Sequence, residues 1–275
     1  MFVVEIVLDV AVEFGEYLAV QFFLELEGEV GALLGGEGLA LRLGGLLCGG
    51  EGGVVVLLVG EDGATHHGCY DMAVYRTIPG AVVAAPADEV ELKDMMYTAM
   101  HSEHGPFIIR YPRGYGEGKA WEDHEYERME PGKGVCLLEG SDVAVVAAGP
   151  MAYRALEAAM ELRESMEWYP SIYNIRYIKP VDQEMLAEIA AKFRTVITVE
   201  DGTVLGGLHG AVAEFMSQQD EPLVVVPVGI PDVYVSQGTQ DELRDECGLS
   251  VARLAHKIMQ EKQKIDKKNK KVLEN

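Results

Sequence analysis

Basic residues are scarce: 23 Lys and Arg stand against 45 Asp and Glu, a formal charge of −22 over 275 residues. So acidic a chain disfavours a phosphate-backbone polymer as a large partner, and nucleic acid is not expected. Any anionic ligand must be met by a few locally placed arginines. Cysteine is sparse as well. The four (Cys48, Cys69, Cys136, Cys247) lie far apart with no CxxC. This argues against a disulfide framework or a thiolate metal site and fits a reducing cytoplasm. No apolar run of about 18 residues is present to span a bilayer, so no membrane partner is expected. The opening "MFVVEIVLDVAV" lacks the basic flank and small-residue cleavage site of a signal peptide. The phosphate loop GxxxxGK(S/T) and a helix-opening GxGxxG are missing too.

The first 58 residues lack Lys, Pro, Ser, Thr, Asn, His and Trp altogether. Stretches such as "GALLGGEGLALRLGG" hold too many glycines for a comfortable helix, at about 1 kcal/mol each against alanine, yet are too apolar for a flexible linker.

From residue 54 strands and helices alternate. "VVVLLV", "AVVAAP" (81–86) and "PFIIRYP" (106–112) are continuous apolar runs, the mark of strands buried on both faces. A helix filled by "VELKDMMYTAMH" separates the last two. Residues 115–133, "YGEGKAWEDHEYERMEPGK", are polar and rich in Gly and Pro, as a linker is. A second alternating unit follows. "DVAVVAAG", "YPSIYNIRYIKP", "RTVITVED" and "LVVVPVGIP" read as strands, and "PMAYRALEAAMELRES", "DQEMLAEIAAKF" and "LHGAVAEFMSQQ" as helices. Asp182 is an N-cap. The last helix begins near Ser250 and runs into a lysine-dense tail expected to fray in solvent. Such alternation implies mostly parallel sheets. The expected fold is two α/β domains: residues 1–118, a linker 119–134, a second domain 135–262 and a basic tail 263–275.

Chemistry concentrates in "GEDGATHHG" (60–68), at the carboxyl end of the strand from residue 54, where open α/β sheets bind ligands. Asp62 and His66 are four apart, so a turn brings them to one side, where an acid and an imidazole can orient a hydroxyl and shuttle its proton. Alternatively Asp62 caps a helix and the histidines are surface residues. A zinc site from His66, His67 and Cys69, with His101 and His104, is disfavoured. Adjacent histidines do not easily face one metal, and no spacing fits the usual ligand sets. No metal ligands are assigned. "RYPRG" (110–114) offers two arginines at a strand end, an anion fork or an ordinary ion pair.

The run "GEDGATHHGCYDMAVYRTIPGAVVAAPADEVELKDMMYTAM…GPFIIRYPRG" resembles the 1-deoxy-D-xylulose-5-phosphate synthase family. These are thiamine-diphosphate enzymes of the transketolase superfamily, and the likeness is to their pyrimidine-binding domain. "DVAVVAAGPMAYRALEAA", "NIRYIKPVD", "VITVEDGTVLGGLHGAVAEF" and "VGIPDVYVSQGTQDEL" resemble the same family's C-terminal domain in order. The resemblance implies a transferase that condenses pyruvate, with decarboxylation, and glyceraldehyde 3-phosphate, for isoprenoid-precursor, thiamine and pyridoxal biosynthesis. It implies that Asp62 and His66 contact the substrate's hydroxyls and carbonyl, and that Arg113 binds the glyceraldehyde 3-phosphate phosphate group. Asp201, Gly202 and Gly207 fall in a structural motif, His209 on a helix surface or interface. The family glutamate that activates the aminopyrimidine stands in a "DVGIAEQHA"-like stretch. Here the nearest text is "DVAVEFGEYLAV", which gives Glu16 as the catalytic and cofactor-binding glutamate and Glu13 second, whereas gapless counting from Asp62 gives Glu5. An arginine from a "DRAG"-like stretch has no clear counterpart; Arg42 is the only basic residue of the first 58. Nothing resembles the GDG…N element that holds Mg2+ and the diphosphate. The resemblance therefore implies a homodimer completed by an N-terminal cofactor domain, possible as a separate chain. This chain would then be a fragment or one half of a split enzyme. Two rivals stay open: the C-terminal half of a transketolase-like ketol transferase, and a non-catalytic dimerisation or docking fragment.

Overall fold

The structure is a computed structural model that describes residues 45–48, 52–56, 63–64, 67–102, 105–112 and 116–274. Two five-stranded sheets carry the fold. In the first, β1 (Gly45–Cys48) pairs antiparallel with β2 (Gly52–Val56). β2 then runs parallel to β4 (Phe107–Tyr111), and β4 to β3 (Val82–Ala84). Among the described residues two helices belong to this unit, the short α1 (Asp71–Tyr75) and α2 (Glu89–Met100). Asp88 caps α2 by accepting from Glu91 N at 2.9 Å. Every residue of β3 and β4 is buried, as their continuous apolar runs require.

The second sheet has the order β10-β9-β6-β7-β5. β10 (Val224–Ile230), β9 (Thr195–Thr203), β6 (Val143–Ala147) and β7 (Ser171–Asn174) are parallel, and β5 (Val135–Leu138) closes the edge antiparallel. Around it lie α3 (Met151–Met166), α4 (Gln183–Lys192), α5 (Leu208–Met216), α6 (Gln240–Glu246) and α7 (Val251–Leu273). Asp182 caps α4 by accepting from Met185 N at 2.9 Å, as its position in the sequence implies.

Three features depart from the sequence reading. "YPSIYNIRYIKP" is not one strand. After β7, Asn174 Oδ1 accepts from Arg176 N at 3.1 Å and Arg176 turns left-handed at φ 59°. The chain thereby leaves the second sheet, and β8 (Tyr177–Lys179) joins the first, antiparallel to β3. Residues 116–131 hold no helix or strand, but they are strapped down and do not hang free. Trp121 is buried, Lys93 Nζ donates to the carbonyls of Trp121 (3.1 Å) and His124 (2.8 Å), and Met129 N donates to Thr98 Oγ1 at 2.8 Å. The lysine-rich end, expected to fray, is helical to Leu273. Ile265 still packs on the core, Lys262 lies 5.6 Å from the Trp168 ring centre, and lysines suit the negative end of a helix dipole.

One core joins the two sheets. Met72, Tyr75, Ala81, Val83 and Ile108 pack in the same buried cluster as Val146, Ile175, Ile189 and Val196.

Candidate active site

The described residues just before α1, Gly63 and 67–70, contact the second unit. Gly63 takes φ +76°, a conformation that side chains rarely adopt, beside Gln237. His67, buried, places Nε2 3.3 Å from the Ser236 carbonyl oxygen. Thr203 N donates to the Cys69 carbonyl at 2.7 Å. Cys69 is a free thiol that burial pushes up to about 12, so it is no nucleophile at neutral pH.

Beneath this segment Arg110 of β4 is 1% exposed. Its Nε donates to both Asp71 carboxylate oxygens, at 2.9 and 2.7 Å. One terminal nitrogen donates to the Asp201 carboxylate and the other to the Asp201 carbonyl at 3.1 Å. Asp71 also accepts from Met72 N at 2.6 Å in the first turn of α1. Burial lifts the Asp71 carboxyl to about 6 against the pull of Arg110. Arg110, flanked by two carboxylates, is held protonated more firmly than usual despite its burial.

The stretch "VEDGTVLGG" is structural here, as expected. Glu200 is buried and receives the main-chain N–H groups of Leu208 (2.9 Å) and His209 (2.8 Å), so it closes the amino end of α5. Burial nevertheless lifts its carboxyl to about 7. A Cβ on Gly207 would strike that carboxylate, and one on Gly202 would come within 2.6 Å of Met72 Cε. His209 Nδ1 lies 3.2 Å from Thr198 Oγ1, and half-burial holds the ring below its ordinary pKa.

The two arginines of "RYPRG" thus separate. Arg110 is no open anion fork, because both its faces are spent on Asp71 and Asp201. Arg113 lies outside the described residues, as do Asp62, His66, Glu16, Glu13, Glu5 and Arg42. Among the described residues no group of three or more His, Cys, Asp or Glu could hold a metal ion. An open cleft of about 420 Å³ lies where β3 and β4 end, lined by Pro86, Tyr111 and Pro112 of the first unit and Arg154, Thr239 and Arg244 of the second. Pro112 and Gly116 border it and flank the segment that holds Arg113. The Asp71–Arg110–Asp201 cluster was not assigned from sequence, although one signal exists: a charged residue inside the apolar run "FIIRY" demands a buried partner.

Residues 54–117 match the family model of the transketolase pyrimidine-binding domain, and residues 132–254 that of the transketolase C-terminal domain. The chain carries two transketolase-type domains. It is 42% identical over 207 residues to a 1-deoxy-D-xylulose-5-phosphate synthase of Parabacteroides distasonis, covering 74% of this chain and 32% of that protein. It is 44% identical over 200 residues to the synthase of Cytophaga hutchinsonii, covering 72% and 31%. The chain therefore spans about a third of the length of these curated relatives. Among solved structures it is similar to a split-gene transketolase described as an inactive β4 tetramer. The TM-score is 0.64 at 34% identity, over 75% of this chain and 64% of that one. Transketolase of Campylobacter jejuni shares the fold, with a TM-score of 0.58 at 20% identity over 75% and 31%. This transketolase-type chain contains no helix, among the described residues, long and apolar enough to cross a membrane. Its relatives imply dependence on thiamine diphosphate.

Proposed function

We propose that these two domains form the pyrimidine-side and acceptor-side half of a 1-deoxy-D-xylulose-5-phosphate synthase, joining the two-carbon unit of pyruvate to glyceraldehyde 3-phosphate with loss of CO2. The observation that carries this reading is the 39–44% identity to proteins of that name, through both domains. When bound, thiamine diphosphate supplies the nucleophile and electron sink for decarboxylating a 2-oxo acid. Glu16 is assigned to its aminopyrimidine.

Within this reading Asp62 orients an acceptor hydroxyl and His66 holds or moves a proton at the carbonyl oxygen. Both precede His67 and Cys69 in sequence, which are themselves tied to the second unit. Arg113 binds the phosphate of glyceraldehyde 3-phosphate. A permanently charged planar fork suits a dianion, and in so acidic a chain a local arginine is needed to attract one.

The described residues offer no cluster for Mg2+. We assign the Mg2+ and diphosphate site to an N-terminal cofactor domain, either joined to these two domains or on a separate polypeptide as the similarity to a split-gene transketolase would allow. A homodimer fits the exposure of large apolar side chains such as Tyr70, Val74, Leu205 and Tyr234. The widely spaced cysteines suit a cytoplasmic setting. The test is an assay of the full chain with and without a cofactor-domain polypeptide, offering pyruvate or a ketose phosphate as donor. Pyruvate-dependent CO2 release that needs both polypeptides is expected. Use of the ketose phosphate alone would make the chain part of a ketol transferase.

A further inference from the structure

A buried ionic triad seldom stabilises a fold more than apolar residues of the same volume, because desolvating three charged groups offsets their attraction. Asp71, Arg110 and Asp201 are all buried, and no apolar filling would leave a hydrogen-bonding group wanting a partner there except the Asp201 carbonyl and Met72 N. Stability alone does not call for charge at this place. Direction does.

The guanidinium is planar, and its donors point along fixed lines. Nε addresses Asp71, whose carboxylate in turn takes Met72 N at 2.6 Å and so fixes the first turn of α1. The far edge addresses Asp201 twice, and one of those bonds, at 3.1 Å, goes to the main-chain carbonyl of β9. One rigid group thus ties the main chain at the start of α1 to the main chain at the end of β9, through β4. Apolar side chains in the same volume would fill the space without fixing a register. Other ties cross this junction, among them Thr203 N to the Cys69 carbonyl, His67 to the Ser236 carbonyl, and Arg76 at the far end of α1 to Glu214 and the Gly206 carbonyl. Arg110, however, is buried at the start of the helix and grips main chain and carboxylate together.

We propose that Arg110 is a positioning residue for the candidate active site: clasped between Asp71 and Asp201, it sets the segment 67–72 and the end of β4 against the second unit. The functional consequence rests on the reading that this segment and strand end present Asp62, His66 and Arg113. The geometry itself does not.

The test is hydrogen exchange followed by mass spectrometry on the full chain, beside thermal unfolding. In the triple variant Asp71→Leu/Arg110→Met/Asp201→Leu, thermal unfolding should occur at or above the parent temperature. Exchange in peptides covering 67–72 and 201–204 should meanwhile rise about tenfold or more, with α7 unchanged. Arg110→Lys retains the charge on a flexible point donor, guards against a triple variant that does not fold, and should give a smaller rise at the same peptides. Unchanged exchange there in either folded variant would overturn the proposal. So would a rise spread evenly through α7, which would mark a purely stabilising role. Neither readout uses turnover, so failure of the catalytic reading and failure of this one are told apart.

Discussion

Among the described residues, Glu200 carries a clear pH signature. Burial raises its carboxyl from 4.5 to about 7, even with two main-chain N–H groups donating to it. Between those values the folded chain holds a proton that the unfolded chain has released. The resulting stability is complete below pH 4.5 and lost as pH rises through 7. Asp71 adds a contribution of the same sign between 3.8 and about 6. The expected outcome is an unfolding midpoint in urea that falls as pH is raised from 5 to 8. The facing charges are Arg110 and Asp201, which Glu200→Gln leaves in place, and that substitution should flatten the slope. Self-repulsion of a −22 chain acts in the same direction but survives the substitution, so an unflattened slope would assign the effect to net charge alone. Gly207→Ala forces a Cβ into the Glu200 carboxylate and should cost about 1–3 kcal/mol, read from the same denaturant curves. For Arg113 the expectation is catalytic. In a chimera in which residues 54–260 replace the aligned part of the Parabacteroides distasonis synthase, Arg113→Ala should lower kcat/KM for glyceraldehyde 3-phosphate about 10- to 100-fold. The KM for pyruvate should move far less, as steady-state kinetics would show. The pair in "RYPRG" also marks the limit of reading single residues from sequence. Both arginines look equally available there, and only the pairing of strands shows that Arg110 is spent on Asp71 and Asp201.

At the scale of elements, periodicity served well where a strand or helix buries a full face. The runs that became β3, β4, β6, β9 and β10, and the helices α2, α3, α4 and α5, lie where the apolar pattern puts them. It failed where main-chain conformation decides. The break between β7 and β8 depends on a left-handed Arg176 and on the Asn174 side chain, neither of which alters the apolar pattern. The short α6 buries only Leu243, yet Thr239 and Glu242 form a capping box that the sequence "TQDE" spells out. Thr239→Ala should therefore cost about 1 kcal/mol. The strap over α2 is likewise readable from one cue, a tryptophan in an otherwise polar stretch. Trp121 fills a core with Leu92, Met95 and Tyr177, while Lys93 lies 4.3 Å from the Tyr126 ring centre. Trp121→Ala should cost about 3–5 kcal/mol, measured by thermal or denaturant unfolding.

The whole molecule is less divisible than its composition suggests. A polar, Gly-rich stretch between two alternating units reads as a tether, but β8 of the second unit completes the first sheet and one apolar cluster runs beneath both. Cutting the chain within 116–131 is therefore expected to leave two pieces that stay associated and unfold together, which limited proteolysis followed by size-exclusion chromatography can check. The same union sets His67, Cys69 and Arg110 by contacts across the junction. The central claim is that these two domains serve a pyruvate-consuming synthase. Its most direct test is a donor competition in the chimera described above, with thiamine diphosphate, Mg2+, glyceraldehyde 3-phosphate, and labelled pyruvate and a ketose phosphate offered together. The account predicts that CO2 and 1-deoxy-D-xylulose 5-phosphate form in step from pyruvate while the ketose phosphate is left untouched. Consumption of the ketose phosphate with pyruvate unchanged would contradict it.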